Sequence, residues 1–82
     1  MNSFSVESVE GEIVRVGLDI VEAMRLLRRL SNGHVVVRRS DRSVMAFRVS
    51  PFDRSTAPKI WRHNDRIADQ KRRLAEQEME AA

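Results

Sequence analysis

From Asp19 to Leu30 the apolar residues Ile20, Val21, Ala23, Met24, Leu27 and Leu30 recur every three or four positions, with Glu22, Arg25, Arg28 and Arg29 between them. This spacing predicts an amphipathic helix. Asp19 can cap its N-terminus, and Ser31-Asn32-Gly33 offers the left-handed residue that commonly ends a helix. Upstream, Glu12 to Val16 is β-branched, short and bounded by Gly11 and Gly17, which predicts a strand leading into the helix. Residues 1–10 alternate Phe4 and Val6 with serines and read as an N-terminal arm or an edge strand.

Downstream, Val35, Val36 and Val37 answer the segment Val44 to Val49 across the polar turn Ser40-Asp41-Arg42-Ser43, which predicts a β-hairpin. Side chains alternate between faces, so register decides burial. A three-residue loop places Val35, Val37, Met45, Phe47 and Val49 on one face, against the helix. Val36, Arg38, Ala46 and Arg48 then share the outer face.

Beyond Ser50-Pro51 the pattern changes. Ser55 or Thr56 can cap a second helix, with Pro58 in its first turn where a missing N–H costs nothing. This helix has few breakers and a thin apolar stripe: Ile60, Trp61, Ile67, Ala68, Leu74 and Ala75 recur as pairs every seven residues. So narrow a stripe on a charged helix needs a surface to dock on. The expected organisation is a β-α-β-β core over 11–54 and a C-terminal partner-binding helix over 55–82. The fold class is α+β, with a small antiparallel sheet, one packed amphipathic helix and a protruding C-terminal helix.

At 82 residues, such a domain buries only about 60% of the surface its unfolded chain exposes. The chain has no cysteine and no His/Asp/Glu set at ligand spacing, so self-association is the expected stabilising device and no cofactor is expected. Neither a leader pattern nor an apolar run of the ~20 residues that span a bilayer is present, which predicts a cytoplasmic protein without a membrane partner.

The net charge of +3 conceals a sorting of signs along the chain. Residues 1–24 hold one Arg and five acidic residues; residues 25–48 hold seven Arg and only Asp41. Residues 49–75 hold seven basic and three acidic residues, and three Glu follow. A basic middle between acidic ends suits an anionic partner. Arg38, Arg39 and Arg42 in the hairpin, with Arg25, Arg28 and Arg29 on the helix, are the candidate phosphate contacts, their forked guanidinium groups supplying charge and hydrogen bonds together. The bland alternatives are a G+C-rich coding bias, a solvated edge that deters aggregation, and local pairing with Asp19 and Glu22. Ile60, Trp61, Ile67 and Leu74 are the candidate partner contacts; Trp61 alternatively closes the core. His34 and His63 could each be paired with Asp41 or Asp65, but no catalytic constellation emerges and an enzyme is not expected.

The element order, with Arg38 and Arg39 in VVVRRSDRSVMAFRVS, resembles the Phd/YefM antitoxin family, whose hairpin has the form ITRRG-x-PVAVLVS. The resemblance spans roughly residues 12–75. Asp41-Arg42 stands where that family favours glycine, and IVEAMRLL replaces its usual first-helix pattern. The resemblance implies a homodimer that binds operator DNA through its N-terminal half and a toxin through its C-terminal segment. The helix, hairpin and second helix also resemble the small head-completion protein of lambda-like phages. That likeness implies a non-enzymatic phage or mobile-element interaction protein, an assembly factor or an inhibitor of a host nucleic-acid machine.

Overall fold

Val35, Val36 and Val37 are all buried, at 7, 0 and 3% exposure. Neighbouring strand residues point to opposite faces, so three buried in succession require cover on both sides of the sheet. The computed structural model describes residues 3–81; Met1, Asn2 and Ala82, the outermost residues of the expected terminal segments, lie outside the described residues. Its elements are β1 (Phe4–Ser8), β2 (Ile13–Leu18), α1 (Ile20–Arg29), β3 (His34–Arg38), β4 (Val44–Arg48) and α2 (Thr56–Ala81). The strands form one antiparallel sheet in the order β2-β1-β3-β4. The α+β class with a long C-terminal helix is therefore as expected, with one strand more than β-α-β-β.

The extra strand is β1, which lies inside the sheet. It pairs with β3 from Phe4 opposite Arg38 to Ser8 opposite His34, and its other edge pairs with β2. The expected arm or edge strand is thus corrected. Phe4 and Val6 serve one face while Ser5 and Glu7 serve the other, and the middle three residues are buried. On the first face Val6 and Val36 pack with Leu18, Ala23 and Leu27, so α1 lies there. On the second, Val35 and Val37 pack with Ile60 of α2, flanked by Val44 and Phe47.

This reverses the expected assignment of the hairpin faces. Val35 does stand opposite Phe47 and Val36 opposite Ala46, but an irregularity then brings Val37 opposite Val44 and leaves Met45 43% exposed. The helix α1 covers the Val36 face because β1 extends that face with Phe4 and Val6. The Val35 face continues instead into Ser5 and Glu7, and the first turns of α2 cover it.

The ends of both helices follow from local hydrogen bonds. Asp19 Oδ1 accepts the N–H of Glu22 at 2.8 Å, as expected for an N-cap. At the other end Leu30 donates to the carbonyls of Leu26 and Leu27. The left-handed Gly33 (φ +98°) comes later and opens β3, where its N–H meets the carbonyl of Arg48. For α2 the capping carboxylate is Asp53, ahead of the expected Ser55 or Thr56; its Oδ1 accepts the N–H groups of both. The Thr56 hydroxyl, then the Ser55 donors, hold the Asp53 carboxyl down at about 2. At about 1.5 Å per residue α2 is ~39 Å long, and only its start lies over the sheet.

Val36→Ala removes two methylene equivalents where no exposure remains, and is expected to cost about 2 kcal/mol. Met45→Ala, at the irregularity, should change stability by less than about 0.5 kcal/mol. Urea midpoints of the two variants check the assignment: equal effects would mean that Met45 is in the core.

Candidate functional site

The turn between β3 and β4 concentrates the polar interactions of the molecule. Arg42 adopts φ +64°, the left-handed region in which glycine is at ease. Its guanidinium donates from Nη1 to Glu7 Oε2 and from Nη2 to Glu7 Oε1, both at 2.8 Å. Ser5 Oγ donates to Oε2 as well, at 2.8 Å. Glu7 is 3% exposed, and burial alone would raise its pKa. The Arg42 hydrogen bond outweighs that effect and holds the carboxyl below its ordinary value, while Arg42 is raised in turn.

Helix α2 docks on the same turn. His63 Nε2 donates to the carbonyl of Arg42 at 2.7 Å. The Asn64 side chain accepts the N–H of Val44 and donates to its carbonyl, both at 2.8 Å, as a neighbouring strand would. The outer edge of β4 is thereby satisfied at that residue. Lys71 pairs with Asp41 Oδ2, and Asp41 Oδ1 accepts the Ser43 N–H and hydroxyl at 2.9 and 2.6 Å. Lys71 first, then Ser43, hold the Asp41 carboxyl far below the usual carboxylate range.

The arginines expected to contact phosphate therefore separate. Arg42 is engaged by Glu7, which corrects its expected role: two of its five N–H donors and its charge are taken up by a carboxylate of its own chain. Arg38 reaches Asp41 only at 3.9 Å, and Arg39 is exposed. Arg25, Arg28 and Arg29 are exposed on α1, and among the described residues none has a carboxylate within 4.0 Å. Arg48 joins them, its Nη1 donating at 2.8 Å to the carbonyls of Arg28 and Leu30 at the helix C-terminus. Only this cross-strand position, opposite His34 in β3, brings Arg48 there; no local sequence signal announces it. The two arginine groups lie toward opposite ends of β3, a strand ~13 Å long at about 3.3 Å per residue. His34 Nδ1 donates to Ser31 O at 2.7 Å, so both histidines hold backbone carbonyls.

The partner residues separate too. Ile60 is 8% exposed and packed on Val35 and Val37, so it belongs to the core of its own domain and is withdrawn from the partner surface. Trp61, the alternative core residue, is 59% exposed. Ile67 is half-buried, while Leu74 and Met79 are exposed where α2 has passed the sheet. A groove of about 400 Å³ between the sheet and the first turns of α2 is lined by Glu7, Arg42, Lys59, Ile60 and His63, and its Glu7 and Arg42 neutralise one another. Among the described residues no helix is long and apolar enough to cross a membrane. No family model matches the chain, and no curated protein or solved structure matches it.

Because the folded-state pKa of Glu7 lies below its ordinary 4.5, the pair stabilises the fold fully above that pH and is lost as pH falls through the folded value. Glu7→Gln is expected to cost about 1–2 kcal/mol at pH 7, the low part of the range for charged hydrogen bonds because Arg42 is more than half exposed. It should also flatten the loss of stability below pH 4.5, read as urea midpoints between neutral and acid pH. Arg42→Gly relieves the left-handed backbone yet should still destabilise. A more stable glycine variant would show that the ion pair does not anchor the turn.

Proposed function

We propose that this protein is a small, non-enzymatic nucleic-acid-binding regulator of the antitoxin kind. In this reading α1 and its surroundings contact phosphates, and α2 receives a protein partner. The observation that carries the reading is the state of the arginines on α1. Arg25, Arg28 and Arg29 project into solvent without carboxylate partners among the described residues, beside the anchored Arg48. Glu7, Asp41, Asp19 and Asp53 are engaged on Arg42, on Lys71 and at the starts of α1 and α2, and Glu22, on α1 itself, forms no ion pair with any of the three.

A helix C-terminus favours some positive charge, but that effect is satisfied within the last turn. Three unpaired guanidinium groups spread over the outer face, with Arg48 fixed beside them, exceed what the helix needs and suit phosphate oxygens. Arg38 and Arg39 supply a second contact at the far end of β3.

The competing reading, a phage or mobile-element assembly protein, draws on exposed apolar residues: Ile13, Val14 and Val16 on β2 and Val21 on α1 are 45–64% exposed. In that case the arginines meet protein.

Fluorescence anisotropy with a random-sequence DNA duplex distinguishes the two. Binding at low salt should weaken steeply as salt rises, and Arg25→Gln/Arg28→Gln/Arg29→Gln should lower the log–log slope by about 2–3. Arg42→Gln should leave that slope unchanged. Absence of duplex binding at low salt would overturn the nucleic-acid reading and leave the assembly reading in place.

A further inference from the structure

We infer that the outer face of α2 pairs with α2 of a second copy of this chain, antiparallel, with Ala68 at the two-fold axis. This deepens the reading of α2 as a partner surface and requires no nucleic acid. Residues along a helix advance 100° each, so α2 carries two separate stripes. One, with Ile60, His63, Asn64 and Lys71, holds the chain's own sheet and turn. A quarter-turn away Trp61, Ala68, Ala75 and Met79 form the other, all exposed. Trp61 and Met79 are 59 and 79% exposed.

The seven-residue interval of Trp61, Ala68 and Ala75 is the repeat by which helices keep a common seam. Alanine at the middle and end of the seam lets two helix axes approach at the short end of the usual ~8–10 Å. Around an axis at Ala68, residues equally distant on either side meet. Trp61 then lies on the partner's Ala75, a large side chain over a small one, and the contact occurs twice.

Charge selects this orientation. Residues 59–73 of α2 carry six basic and two acidic residues, whereas residues 76–80 carry three Glu and no base. Parallel helices would set like charge beside like. The antiparallel pair brings Glu76 within a turn of Arg62 of the other copy, and Asp65 beside Arg72, each in duplicate as a two-fold contact demands. Arg72 now bonds Asp69 on the surface of its own helix, an exposed pairing that is readily exchanged. The other apolar surface, the outer edge of β2, is poorly suited to self-pairing. Two irregularities interrupt it, at Gly17 (φ +72°) and around Val14, and Arg15 lies between them.

The natural chain has no cysteine, so single introduced thiols report the register. Under mild oxidation Ala68→Cys should form a disulfide-linked dimer, and Trp61→Cys/Ala75→Cys should do so as well. Ala75→Cys alone should not, because its two copies would lie ~21 Å apart along the seam, beyond the ~7 Å reach of a disulfide. Sedimentation equilibrium of the unmodified chain without nucleic acid should give twice the 9.5 kDa chain mass. Ala68→Arg should weaken association about tenfold or more while leaving the circular dichroism unchanged. A monomer at the highest soluble concentration, or cross-linking of Ala75→Cys as readily as Ala68→Cys, would overturn the inference. Either result leaves the arginine surface untouched, just as failure to bind DNA would leave the dimer standing.

Discussion

The architecture depends on one ion pair between an interior strand and a strained turn. Glu7 sits in β1, flanked by strands on both sides, with its carboxylate on the face that α2 covers. An unpaired carboxylate there would be strongly destabilising, and Arg42 reaches it with two parallel hydrogen bonds. To do so its backbone takes a left-handed conformation that costs about 1–2 kcal/mol in a residue with a side chain. The turn that results presents the Arg42 carbonyl to His63, Asp41 to Lys71 and the Val44 backbone to Asn64. Arg42 thus joins the strand to the turn and, through its carbonyl, to the helix, beside the contacts of Asp41 and Val44. Arginine thereby stands, with its side chain paired to Glu7, at a position whose conformation suits glycine.

The parts of this arrangement that were legible in the sequence are local. The period of Ile20, Ala23, Met24 and Leu27 marks α1, Asp19 marks its start, and the valine run opposite Val44–Val49 marks the hairpin. The missing information is non-local. Nothing near Phe4 states that β3 will lie beside it, yet that pairing decides that β1 is interior and that α1 belongs on the Val36 face. Burial of three consecutive valines does carry the signal that both faces are covered; read as simple alternation, it assigns one face to solvent. Arg42 and Glu7 are 35 positions apart, so their bond is likewise invisible to spacing.

The same non-locality changes the meaning of charge. Along the chain the signs fall into blocks, an acidic beginning before a basic middle. In space β1 and β3 are neighbours, so Glu7 of the acidic block neutralises an arginine of the basic one. Asp19 and Asp53 turn to backbone and hydroxyl donors and Asp41 to Lys71 and Ser43, and among the described residues the α1 guanidinium groups form no ion pair. The basic block thereby becomes two smaller groups at either end of β3. An extended anionic backbone can touch both, whereas a compact anion reaches only one.

The long helix follows from the economy of a small domain. Four short strands and a ten-residue helix bury few large side chains: among the described residues the largest that are fully buried are Val6, Val36 and Ser5. Docking the first turns of α2 closes the second face of the sheet, and beyond Lys71, which pairs with Asp41, the helix extends past the sheet. An isolated helix of that composition is marginal in water. In the proposed dimer a second copy would cover it without requiring any other protein. Association that favours the folded chain stabilises it by mass action. It would also duplicate the α1 arginines about a two-fold axis, so that two cationic surfaces face one extended polyanion and act with the effective concentration of linked sites. The feature that makes the monomer incomplete would then be the one that makes the arginine surface bivalent.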